Sequence, residues 1–71
     1  MTALDAGFGL QWRRGSDDAW RPLLDTLQSG THEAYATVLN STDAMRRLRR
    51  GEVVAMVFRR HLYDVRMVML S

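Results

Sequence analysis

The chain has 71 residues, 46% hydrophobic and 25% charged, which allows one small domain with a lean core and excludes a disordered tail. It contains no cysteine, so disulfides, thiolate zinc sites and cysteine nucleophiles are excluded, and stability must come from packing or association. Formal net charge is only +2, yet residues 36–71 carry seven arginines against three carboxylates while residues 1–35 carry three against five, and no basic residue is a lysine.

Residues 1–6 read as the frayed end of a single domain, 1–71. The opening MTALDAGFGL lacks a basic start and carries Asp5 where a signal peptide would be apolar. The longest strictly apolar run, Val53 to Phe58, is far short of the roughly 20 residues of a membrane-spanning helix. A cytoplasmic protein with no membrane partner is therefore expected.

Phe8, Leu10 and Trp12 alternate with Gly9, Gln11 and Arg13, the period of a half-buried strand, and Arg14-Gly15-Ser16 ends it; the reading is an edge strand over 8–13. Trp20, Leu23, Leu24 and Leu27 then fall at helical spacing. Asp17 and Asp18 suit a helix start, and Pro22 confines that start to Ala19–Pro22, with a stop at Ser29-Gly30. The next segment, THEAYATVLN, fits two patterns. As a helix it would be capped by Thr31 and turn Tyr35, Val38 and Leu39 inward; as a strand it would place Tyr35, Thr37 and Leu39 on one face. Thr31, Glu33 and the internal alanines favour the helix.

Asn40-Ser41-Thr42-Asp43 supplies side chains that compete for backbone hydrogen bonds, so one of the four should cap the following helix, about Asp43 to Arg50, which Gly51 terminates. At about 100° per residue, Ala44, Met45 and Leu48 share one side and Arg46, Arg47, Arg49 and Arg50 cover the other. EVVAMVF and YDVRMVML follow, two β-rich runs joined by the basic loop Arg59-Arg60-His61-Leu62. Both faces of this hairpin are apolar, so it needs cover on both or a partner. The fold class is α+β: two or three short helices, a C-terminal antiparallel hairpin and an added N-terminal edge strand.

No catalytic constellation emerges, and the chain reads as a non-enzyme without cofactor or metal. His32-Glu33 begins an HExxH pattern, but Ala36 stands where the second ligand belongs. Gly7 and Gly9 begin a GxGxxG pattern that Trp12 breaks, and a P-loop needs a lysine the chain lacks. His32 and His61 read as exposed polar residues.

From residue 19 onward, the order helix, helix, short turn, Arg-rich helix, basic-tipped hairpin resembles a winged helix-turn-helix domain over about fifty residues. The resemblance implies that Arg46, Arg47, Arg49 and Arg50 face a DNA groove and that Arg59, Arg60 and His61 sit on the wing. The turn after Leu39 departs from that family, lacking its glycine and buried aliphatic residue. The leading expectation is instead a small regulatory or inhibitory protein that docks those seven residues and the apolar hairpin on a larger, acidic protein. Duplex DNA is the alternative partner, and a homodimer through the hairpin is a further one.

Overall fold

Residues 7–26, 28 and 30–69 are described by a computed structural model, in which the alternation of Phe8, Leu10 and Trp12 becomes strand β1 (Phe8–Arg13). The expectations for residues 1–6, Leu27 and Ser29 lie outside the described residues. Strand β2 (Arg21–Leu23), helix α1 (His32–Asn40), helix α2 (Thr42–Arg49), strand β3 (Val54–Phe58) and strand β4 (His61–Met69) follow. The strands form one antiparallel sheet in the order β2-β1-β4-β3, and two helices pack on one of its faces. This is a small α+β domain.

The segment expected to be the first helix is instead β2. Pairing Leu23 with Leu10 and Arg21 with Trp12 buries Leu23 in the core, whereas Leu24, its neighbour on the supposed helical stripe, is 47% exposed. Pro22 cannot donate to a ladder, and it is tolerated here because β2 is an edge strand. Asp18 closes the preceding turn: its carboxylate accepts hydrogen bonds from the Arg14 and Ala19 backbone N–H groups. With β2 on its far side, β1 becomes a central strand rather than the expected edge.

The helical reading of the next segment holds in α1, with two corrections. The Thr31 hydroxyl does not cap the helix; it accepts from the Leu24 N–H and donates to the Leu24 carbonyl, closing the connection from β2. Val38 points inward and Tyr35 packs against the core, but Leu39 is 41% exposed. A single residue, Ser41, separates the helices and caps α2 by accepting from the Ala44 N–H. At the other end Gly51, with φ +86°, takes the left-handed position. Gly51 N–H then reaches Leu48 O, and Glu52 N–H reaches Arg47 O, the paired bonds of a Schellman cap.

Every element contributes to the core: Leu10, Leu23, Val38, Val54 and Val65 from the other elements meet Ala44, Met45 and Leu48 of α2. The hairpin loop is tighter than expected. Phe58 pairs with His61, so Arg59-Arg60 alone makes the turn, at φ 51° and 68°, and His61 and Leu62 belong to β4. Positive φ at both central residues is the type I′ arrangement that matches strand twist.

Helices cover only one face of the hairpin. On the other, Val57 and Leu62 are paired and remain 65% and 61% exposed. The centre of this uncovered face is polar. Arg13 donates through Nε to Asp64 at 3.0 Å, Arg66 donates through Nε to Gln11 at 2.7 Å, and both guanidiniums lie 4.3 Å from the Trp20 ring centroid. Among the described residues no helix is long and apolar enough to cross a membrane.

Leu48 is 1% exposed at the centre of this packing. Leu48→Ala should lower unfolding free energy in urea by about 3 kcal/mol, and Leu48→Asp should abolish the cooperative melt followed by circular dichroism. An unchanged midpoint in either variant contradicts the orientation of α2.

Candidate functional site

The Arg-rich helix divides its four guanidiniums between two tasks. The Schellman cap folds Glu52 back toward the last turn of α2, where Arg47 Nε donates to Glu52 Oε1 at 3.1 Å. Arg47 is accordingly half-buried and belongs to the scaffold, not to the exposed face assigned to it by sequence. Arg50 lies 3.9 Å from the same carboxylate, Arg46 reaches Asp43 only at 4.0 Å, and Arg49 makes no ion pair among the described residues. Exposed pairs of this length are worth at most about 1 kcal/mol, so they yield readily to a competing anion.

Arg46, Arg49 and Arg50 stand at i, i+3 and i+4 and line one groove of about 820 Å³. Phe8 from the start of β1, Leu39 from α1, Met45 from α2 and Thr42 also line it; among the described residues no carboxylate does. The groove is thus an apolar strip beside three cations. Sequence reasoning found the cations and missed the strip. Its signal was Leu39, whose helical spacing suggested burial but which emerges beside the arginines.

Arg59, Arg60 and His61 are not brought to this groove. β3 begins just beyond Gly51 and extends roughly 13 Å to Phe58, which carries the hairpin turn to the opposite end of the sheet. There Arg59 and His61 line a second cleft, with none of the residues that line the first, and Arg60 lines neither. Arg59 Nη2 donates to Glu33 Oε2 at 2.6 Å, tying the turn to the first turn of α1. The seven basic residues read from sequence therefore form two separate clusters, of which only Arg46, Arg49 and Arg50 make a shared cationic surface.

His61 lies in β4 rather than in a loop and is exposed, as expected; His32 instead opens α1 with its Nδ1 buried and, among the described residues, without a hydrogen-bond partner. Among the described residues, no three of His, Asp and Glu are grouped to hold a metal ion. No protein-family model, curated protein or solved structure matches the chain.

Two carboxyls are held below their ordinary range. Glu33 is lowered by the Arg59 hydrogen bond first and by the Arg59 charge second; Asp18 is lowered chiefly by the Arg14 backbone N–H. A carboxyl with a depressed folded pKa contributes stability above its unfolded pKa, and that contribution is lost as pH falls through the folded value. In an NMR acid titration, Glu33 should accordingly show a midpoint below the usual glutamate value of about 4.3, and Arg59→Ala should return it there. A normal Glu33 midpoint in the unaltered chain would show that the Arg59 contact does not persist in solution.

Proposed function

We propose that the protein is a small, non-enzymatic interaction module, regulatory or inhibitory in role, whose groove between α2, Leu39 and Phe8 receives an acidic amphipathic segment of a larger protein. The observation that carries this reading is the joint lining of one groove by Arg46, Arg49 and Arg50 and by the apolar Phe8, Leu39 and Met45. Guanidinium groups bind carboxylates by paired, charge-assisted hydrogen bonds. The apolar strip gives hydrophobic anchors of the same segment a place to leave water. Arginine planes spaced along one helical face would select acidic residues at matching spacing. The reading keeps the cytoplasmic setting expected from the sequence.

A second reading, duplex DNA, draws on the pairing of α1 with α2 and on the same three arginines, which suit guanine edges and phosphate oxygens alike. It receives less support from the hairpin, which is built into the four-stranded sheet with its basic tip remote from α2. Self-association through the outer face of the hairpin is a separate proposal, resting on exposed Val57 and Leu62.

Calorimetry with a synthetic peptide that alternates Glu with Leu and Phe should give saturable binding. The Arg46→Ala, Arg49→Ala, Arg50→Ala triple variant should lose at least about tenfold, an Arg47→Ala variant should change stability more than affinity, and a Lys-for-Glu peptide should not bind. Equal binding of both peptides discards the groove as an acidic-segment receptor. If duplex DNA binds through these three contacts, log affinity should fall against log salt with a slope of about −2.7, and a flat dependence removes the DNA reading. Light scattering at high concentration should show a dimer that Val57→Lys, Leu62→Lys converts to monomer; a monomer in the unaltered chain removes the self-association proposal.

A further inference from the structure

The sheet has two edges, and they are not equally protected. Which backbone groups each edge presents follows from the hairpin turn. A two-residue loop closes on a hydrogen-bonded pair, so Phe58 and His61 exchange both backbone bonds, and the alternation of an antiparallel ladder then directs the backbone groups of Val54, Met56 and Phe58 toward β4. Those of Ala55 and Val57 point the other way, and the same alternation continued one step back adds Val53. The sheet ends at β3, and among the described residues nothing hydrogen-bonds to these outward groups.

The opposite edge is closed by sequence. Carried across β4 and β1, the alternation leaves the nitrogen of Pro22 facing outward from β2. That edge therefore lacks a donor at its centre and is only three residues long, two features that discourage a further strand. β3 has neither protection, because Val53 to Phe58 contains no proline and no charged residue.

The open edge is also its own complement. Val53, Ala55 and Val57 are all exposed, the two valines to 46% and 65%, on the sheet face that the helices leave bare. We infer that a second copy of the chain pairs antiparallel with β3 about a two-fold axis at Ala55, joining two sheets edge to edge. In that register Ala55 meets Ala55, Val53 meets Val57 of the second copy, and these residues exchange the backbone bonds that a lone chain leaves open. On the helix side Val54 stands opposite Met56, so every cross-axis pair is apolar. With Pro22 blocking the other edge, the pairing closes as a dimer and does not propagate into a fibre. The contact is independent of the acidic-segment reading, and it differs from stacking of outer faces through Val57 and Leu62 because backbone groups make it.

Strands of five residues give a small interface, which sets a dissociation constant on the order of 0.1 mM. At that affinity the Ala55 and Val57 amides of the unaltered chain, followed by NMR, should exchange with solvent about fourfold more slowly at about 1 mM than at about 20 µM. Equal rates at the two concentrations overturn the inference. Ala55→Pro removes an outward N–H that β4 does not use, so it should keep the cooperative melt and be monomeric by light scattering at about 1 mM. A folded Ala55→Pro variant that still dimerises overturns the inference, and the exchange measurement decides the matter should the variant fail to fold. A dimer whose Ala55 and Val57 amides stay unprotected overturns the edge contact while leaving face-to-face association standing.

Discussion

The antiparallel pairing of β1 with β4 is the constraint on which the structure depends. It runs from Phe8↔Met69 to Arg13↔Asp64 and joins opposite ends of the chain. The pleat then sends Phe8, Leu10 and Trp12 toward the helices, and each does something different there. Phe8 floors the arginine groove, Leu10 is buried in the core, and Trp12 walls the cleft at the hairpin end. A one-residue slip would turn all three to the uncovered face and dismantle both cavities together with the core. Because these partners are so distant in sequence, the pairing has to be set by side-chain burial rather than by a local turn.

Local signals made much of this legible. The alternation in β1, the serine cap and glycine terminus of α2, and the burial of Ala44, Met45 and Leu48 all follow from short-range pattern and steric preference. The reading failed where long-range pairing outweighed local pattern. Trp20, Leu23 and Leu24 have helical spacing, but Leu10 offers Leu23 a buried partner only if the segment is extended, and Trp20 gains two guanidinium contacts from β1 and β4. Thr31 looks like a cap by position, yet Leu24 presents both a donor and an acceptor to its hydroxyl. Neither outcome can be seen without knowing which distant segment lies alongside.

The candidate site was legible in part for the same reason. Helical geometry placed Arg46, Arg49 and Arg50 on the exposed side of α2, but the chain beyond the helix draws Arg47 into the scaffold. Glu52 is adjacent in sequence to Gly51, and the left-handed turn at that glycine brings its carboxylate back to Arg47. Likewise the hairpin arginines appear close to α2 in sequence, while the rise of β3 carries them to the far end of the sheet.

The absence of lysine also acquires a structural meaning. Arg13 and Arg66 occupy a sheet face that no helix covers, and each combines a hydrogen bond through Nε with a position over the Trp20 ring. A planar guanidinium can serve an edge partner and an aromatic face together, whereas an ammonium is a compact point charge that keeps its water more tightly. Arg21 over Trp12 and Arg59 over Phe58 repeat the contact, each with a carboxylate partner of its own. Arg13, Arg21, Arg59 and Arg66 are thereby engaged within the fold, and Arg47 is engaged through Glu52. The basic character of the chain is in large part scaffold, and of the cations left for an incoming partner three, Arg46, Arg49 and Arg50, gather beside Phe8, Leu39 and Met45.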